Sequence, residues 1–298
     1  MQKTMGEKML KITAAVAGLV AVFFLGKWIA THIYNKPDSE IATVSQTETD
    51  DATIRTEEEL EALYRSIKEA AALSGGTEAN TGILSGENPA EGSDNASEQG
   101  SGQDVVDFEY LWTVNEDIIA WITIPGTNID YPVLQHPSDD NYYLTHNIDG
   151  SSGYPGCIYI ESLNSADFTD PNTVLYGHNL KAQTMFTELH KFENRDFFEE
   201  NDEVIIYLPD RILHYQIFAA HVYDDRHLLY SFDFSDEDIY AGFLQSIYDI
   251  RDMSANINRD FTVTSQDRII TLVTCMPHAT NPANAEKRLL VHAVLLQG

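Results

Sequence analysis

Three residues with the side chains for acyl-transfer chemistry sit at the ends of strand-like runs. Cys275 closes the β-branched, apolar segment Thr271-Leu272-Val273-Thr274-Cys275. His178 follows Leu175-Tyr176-Gly177, and Arg288 opens the run from Arg288 to Leu296. A thiol with its ordinary pKa of about 8.5 is mostly protonated at neutral pH, so it becomes a nucleophile only beside a base or a cation. An imidazole can hold the thiolate as an ion pair, or accept the thiol proton on attack, and in either case return a proton to a leaving amine. A guanidinium stays charged, and its fork of donors suits an oxyanion or a carbonyl. Taken singly, each residue also has a plain structural reading: a buried small hydrophobe, a turn histidine, a charge that closes a loop. The set points to thiol-dependent acyl transfer.

Other chemistries fit the same residues less well. Cys275, His278 and His292 would offer one sulfur and two nitrogens to a metal, but the run holds no second cysteine and no carboxylate, so no metal and no cofactor is expected. A papain-like peptidase places its cysteine early and its histidine late, the reverse of the order here. A disulfide between Cys157 and Cys275 would silence the thiol, and a domain of this size does not need one. Asp236, Glu237 and Asp238 belong to a helix start, capped by Ser235, rather than to a calcium site.

The elements that must position these groups read as mainly β. Strands are expected at Ile118–Ile124, Asp130–Leu134, Cys157–Ile160, Thr173–Tyr176, Glu203–Leu208, Ile212–Val222, Arg268–Thr274 and Arg288–Leu296, with turn residues between them. Helices are expected near Gln183–Phe192 and at Asp236–Tyr248. The outcome is an eight-stranded, mainly antiparallel barrel with helical insertions.

Upstream, the chain changes character. Residues 1–11 carry Lys3, Lys8 and Lys11, and the apolar stretch that follows is close to the roughly 20 residues needed to cross a bilayer. Lys27, Trp28 and Tyr34 suit its outer interface, so residues 12–34 are expected to be a signal anchor with residues 1–11 cytoplasmic and the remainder extracellular. Residues 35–104 read as a stalk and linker containing one helix, 56–73, opened by the capping box Thr56-Glu57-Glu58-Glu59 and striped by Leu60, Leu63, Tyr64, Ile67, Ala70 and Ala71. The stretch from Ser74 to Gln103 has too few large apolar residues to offset the entropy of ordering. The folded domain is expected over 105–298. A formal net charge of −29 over 298 residues excludes nucleic acid as a partner.

These residues resemble a known family. Thr271-Leu272-Val273-Thr274-Cys275, Gly177-His178 and Arg288 are similar to the Thr-Leu-x-Thr-Cys, Gly-His and Arg signatures of sortases, membrane-anchored transpeptidases of Gram-positive bacteria. Asn115 to Thr127, Tyr142 to Asn147, His178 to Phe186 and the helix Asp236–Tyr248 look like the class B branch. The resemblance implies a sortase barrel in which the Cys275 thiolate attacks a Thr carbonyl in a C-terminal sorting signal. His178 would then serve as general acid and base. Arg288, with a backbone N–H and Thr274, would hold the oxyanion, and Tyr176 would line the groove. It also implies partners: surface proteins or pilins bearing the signal, and an amine acceptor from the peptidoglycan crossbridge or a lysine. Met276-Pro277 and the long stretch to Arg288 resemble the class C pilin polymerases instead, so wall anchoring and pilus polymerisation both stay open. A non-catalytic surface module built on the same barrel is the reading from another class.

Overall fold

A computed structural model describes residues 56–74, 106–277 and 281–296. The expected anchor, 12–34, and the linker from 75 to 104 lie outside the described residues. Among the described residues no helix is long and apolar enough to cross a membrane.

Helix α1 (Glu57–Ser74) opens on the capping box: Glu59 N–H donates to Thr56 Oγ1 at 3.2 Å, and Thr56 N–H to Glu59 Oε2 at 2.7 Å. Its apolar stripe, Leu60, Tyr64, Ile67 and Ala71, is buried in the main core of its own domain, and Tyr64 donates to the Gly156 carbonyl at 3.1 Å. Next come α2 (Phe108–Val114), β1 (Ile118–Thr123), β2 (Asp130–Leu134), the single turn α3 (Tyr142–Thr145), β3 (Ile158–Ile160) and β4 (Asn172–Tyr176). A 3-10 segment at Phe186–Glu193 leads to α4 (Arg195–Glu200), β5 (Glu203–Tyr207), β6 (Ile212–Asp224), α5 (Leu228–Ser231), α6 (Glu237–Tyr248), the two-residue β7 (Asn256–Ile257), β8 (Ile269–Cys275) and β9 (Lys287–Leu295).

The strands run in the order β5-β1-β2-β3-β4-β8-β9-β6-β7, and β5 also pairs with β6. That extra pairing closes eight strands into a ring and leaves β7 as an appendage on β6, so the expected eight-stranded barrel is present. It is antiparallel except at β2–β3 and β4–β8. Two local expectations need correction. The stretch from Gln183 to Met185 is not helical, because Gln183 and Met185 hold φ of 63° and 53°, outside the right-handed helical region. And Asp236, not Ser235, caps α6: its carboxylate accepts from the N–H groups of Asp238 and Ile239, while the Ser235 hydroxyl is spent on Asp233.

Period-two alternation divides the strands that matter into two faces. Leu175, Ile270, Leu272, Leu289 and Val291 turn into the larger core, which fills the ring and continues under α1. Val174, Ile269, Val273, Leu290 and Val294 turn outward under α6, against Tyr240, Phe243, Leu244 and Ile247. Across this outer face runs one buried polar rung. Asn172 on β4 meets Thr271 on β8 at 2.8 Å, Thr271 meets His292 Nδ1 on β9 at 3.0 Å, and His292 Nε2 meets His221 Nε2 on β6 at 3.1 Å. Both nitrogens of His292 are thus engaged within the core, which removes it from the metal set weighed above.

Burial pushes His221 and His292 below the ordinary histidine value, and His292 is further opposed by charge on His221. The unfolded chain therefore takes up protons near pH 6.5 that the native fold refuses, so the stability these residues permit is complete above about pH 7 and lost as pH falls through 6.5. Thermal melts should show the midpoint dropping between about pH 7 and pH 5, and His292→Gln should flatten that slope.

Candidate active site

Strand pairing brings the three candidate residues to the ends of three adjacent strands. In the parallel pair β4–β8, Leu175 faces Leu272 and Tyr176 faces Val273, and the ladder extends one step further through Gly177 N–H to the Val273 carbonyl at 3.1 Å. Continued by two residues, that register brings His178 level with Cys275. On the other side of β8, Cys275 is the direct antiparallel partner of Arg288. Neighbouring strands lie about 4.8 Å apart, so thiol and guanidinium stem from adjacent positions, with the imidazole two residues past the end of the next strand. Cys275 shares its face with Val273, and Arg288 with Leu290, so both belong to the outer face, at the end of it.

Local chemistry explains why the sequence turns at His178. A Cβ on Gly177 would lie 2.5 Å from Ile158 Cδ1 and 2.6 Å from Phe186 Cγ, so only glycine fits between them. His178 Nε2 lies 2.7 Å from the Leu144 carbonyl. A carbonyl can only accept, so Nε2 carries the hydrogen and the neutral ring keeps its lone pair on Nδ1. Burial lowers the His178 pKa, opposed in part by the bond to Leu144. That favours a neutral thiol–imidazole couple over a preformed ion pair.

The thiol strand is fastened at its tip. Cys275 is the last residue of β8, and its carbonyl points past the place where β4 has ended. There Asn179 Nδ2 donates to it at 2.8 Å, which adds a side-chain rung to the ladder, and His190 Nε2 lies 3.1 Å from the same oxygen. His190 Nδ1 is in turn 2.8 Å from Glu193 Oε2. On the far side Met276 N–H donates to the Lys287 carbonyl at 3.1 Å. The peptide group after Cys275 is therefore held from both edges.

The remaining expected residues fall in different places. Arg288 is half-buried, with Nη1 3.2 Å from the Lys287 carbonyl and 3.5 Å from that of Ala285. Tyr176 lies on the outer face, its ring stacked on Tyr159 at 5.5 Å and tilted against His227 at 6.1 Å. Thr274 pairs with Leu289 and is buried on the inward face, so its hydroxyl points away from the face that carries the thiol. Cys157 and Cys275 are not joined; Cys157 is buried beside Tyr64, with its pKa pushed up to about 12 by desolvation. Asn179, Leu144, His190 and Glu193 were not singled out in the sequence. The only signal for the first was its place directly after Gly-His.

A sortase domain matches residues 122–296. Sortase B of Listeria monocytogenes is 32% identical over 167 residues, 55% of this chain and 65% of that protein, so the chain spans just under two thirds of this relative. The crystal structure of Clostridium perfringens sortase B superposes with a TM-score of 0.56 at 31% identity, covering 64% of this chain and 100% of that one. A Staphylococcus aureus sortase B-substrate complex gives 0.55 at 29% identity, covering 64% and 85%. A domain match over more than half of the chain, on a closed barrel similar to several sortase B proteins, makes this protein a member of the sortase family, on its class B side.

Proposed function

We propose that the protein is a membrane-anchored extracellular cysteine transpeptidase that cleaves a C-terminal sorting signal after Thr and transfers the protein to an amine of the cell wall. The observation that carries this reading is the pairing of Cys275 with Arg288 across β8 and β9, with His178 just beyond the end of the neighbouring β4. Cys275 Sγ attacks the Thr carbonyl as its proton passes to His178 Nδ1, and the Arg288 guanidinium stabilises the oxyanion. His178 then protonates the departing amine, leaving a thioacyl enzyme. An incoming amine gives a proton back to His178 and displaces the sulfur. The Staphylococcus aureus sortase B solved as a substrate complex supports a substrate-binding role for this fold. Every relative named above is a sortase B, which favours wall anchoring over pilin polymerisation. The apolar residues 12–34 support the anchor, and with it the extracellular placement.

Cys275→Ala should abolish cleavage of a sorting-signal peptide, a loss of at least about 10⁴-fold in kcat/KM. Arg288→Lys keeps the charge but not the planar fork and should cost about 10² in kcat. An undiminished rate in either variant refutes the assigned role. Since burial lowers His178, the acid limb of kcat/KM should lie below the ordinary histidine value of about 6.5, as a pH–rate profile will read directly. Against a non-catalytic binding module, a thiol probe should label Cys275 far faster than the buried Cys157; equal, slow labelling would favour the module.

The grip on the Cys275 carbonyl yields a further expectation. Asn179→Ala removes the rung that replaces β4 at its end, freeing the sulfur to wander from its line of attack. Single-turnover acylation should slow by about tenfold to a hundredfold, with the peptide KM little changed.

A further inference from the structure

The loop between α3 and β3 displays a large aromatic side chain that the fold does not use. Tyr154 is 62% exposed, yet the backbone around it is pinned on all sides. Gly153 N–H donates to the Thr145 carbonyl at 2.7 Å, Gly156 N–H to Asn147 Oδ1 at 3.0 Å, and Cys157 N–H to the Tyr143 carbonyl at 3.0 Å. A Cβ on Gly156 would lie 2.7 Å from the Tyr143 oxygen, so the loop runs hard against α3. A fixed backbone carrying an exposed ring is the arrangement of a contact residue, not of a core residue or a slack loop. What the ring touches is the base: its centroid lies 5.1 Å from that of His178, edge to face at 65°.

The second half of the proposed reaction makes that position meaningful. His178 must receive a proton from the incoming amine, so the amine has to arrive beside the imidazole. In water a primary amine is mostly an ammonium, and a tyrosine π-face attracts a cation. The chain's net charge of −29 adds a long-range pull of the same sign.

Resting on the transpeptidase reading, we propose that Tyr154 is the docking ring for the acceptor amine, holding a primary ammonium beside His178 until it gives up one proton to solvent. The free amine then attacks the thioacyl carbon. A C–N bond forms and the C–S bond breaks, the amine's proton goes to His178, and it passes on to the Cys275 thiolate as the enzyme resets. Tyr154 thus sets the choice between amine and water, and leaves the first, acylating half-reaction alone.

The test separates the two halves in the intact protein. Release of the leaving peptide in a single turnover reads acylation; the ratio of transpeptidation to hydrolysis, against rising acceptor, reads capture. Two acceptors are used: a short glycine peptide with a free α-amine, and a lysine peptide with its α-amine blocked. Tyr154→Ala should raise the KM of an acceptor about two- to fivefold, with the transpeptidation ratio falling in step and by more than any change in single-turnover release. Tyr154→Phe, which keeps the ring, should behave like wild type. An effect with the glycine peptide points to a wall crossbridge and one with the lysine peptide to a protein acceptor; either supports the dock. Unchanged acceptor KM for both, or release slowed as much as capture, would overturn it, the latter because the ring would then merely steady His178. If wild type forms no thioacyl with any sorting-signal peptide, the transpeptidase reading itself fails, a result distinct from both.

Discussion

The parallel pairing of β4 with β8 is the constraint on which the site depends. Antiparallel hairpins bring neighbouring residues together at turns, but they cannot place the carboxyl ends of two strands side by side. A parallel pair does so by construction. Because Tyr176 is level with Val273, the residues that leave the two strands, His178 and Cys275, emerge at one edge of the sheet. The β8–β9 hairpin then supplies a cation from the opposite chain direction, with Arg288 directly across from the thiol. Two pairing modes meeting on one strand produce a row that neither produces alone.

Register is what keeps that row on the right face, and it is held well below the chemistry. A slip of one residue along β8 would turn Cys275 inward and bring Thr274 out. Leu272 and Thr274 packed into the ring oppose this, as does Val273 under α6. The rung from Asn172 through Thr271 and His292 to His221 opposes it more specifically, since a slipped strand would leave buried polar groups without partners. The rung joins the strands that carry His178, Cys275 and Arg288 four to six residues from those groups. It ties the register of the site to a buried part of the molecule.

Much of this was legible in the sequence, for identifiable reasons. β-branched runs bounded by turn residues marked the barrel strands, and the cysteine, histidine and arginine picked out at their ends lie at the ends of three adjacent strands. What escaped depended on which strand lies beside which. Nothing local shows that β4 and β8 are neighbours, since almost a hundred residues separate Asn172 from Thr271. For the same reason the purpose of Asn179, whose amide completes a ladder on a distant strand, and of His190, brought to the same carbonyl by a 3-10 segment, could not be read. The helical pattern from Gln183 misled because it ignored a backbone that turns through positive φ at Gln183 and Met185. His292 resembled a ligand by type and position; burial between Thr271 and His221 shows it to be a structural polar group.

The stretch between Cys275 and Arg288 is long, yet the arginine lies directly across from the thiol. Pairing continues to the last residue of β8, and Met276 N–H bonds to the Lys287 carbonyl just beyond, so the loop is closed at its base before any of its length matters. Closing a longer loop costs little once its ends are fixed, since each doubling in length adds only about 0.6 kcal/mol. Within the loop, Asn284 Nδ2 reaches the Pro277 carbonyl at 3.0 Å, a second tie near the base. These ties hold Arg288 opposite Cys275 at the base of the loop. A site built this way separates its two demands: strand pairing fixes the thiol against the guanidinium, and the loop between them does not disturb that pairing.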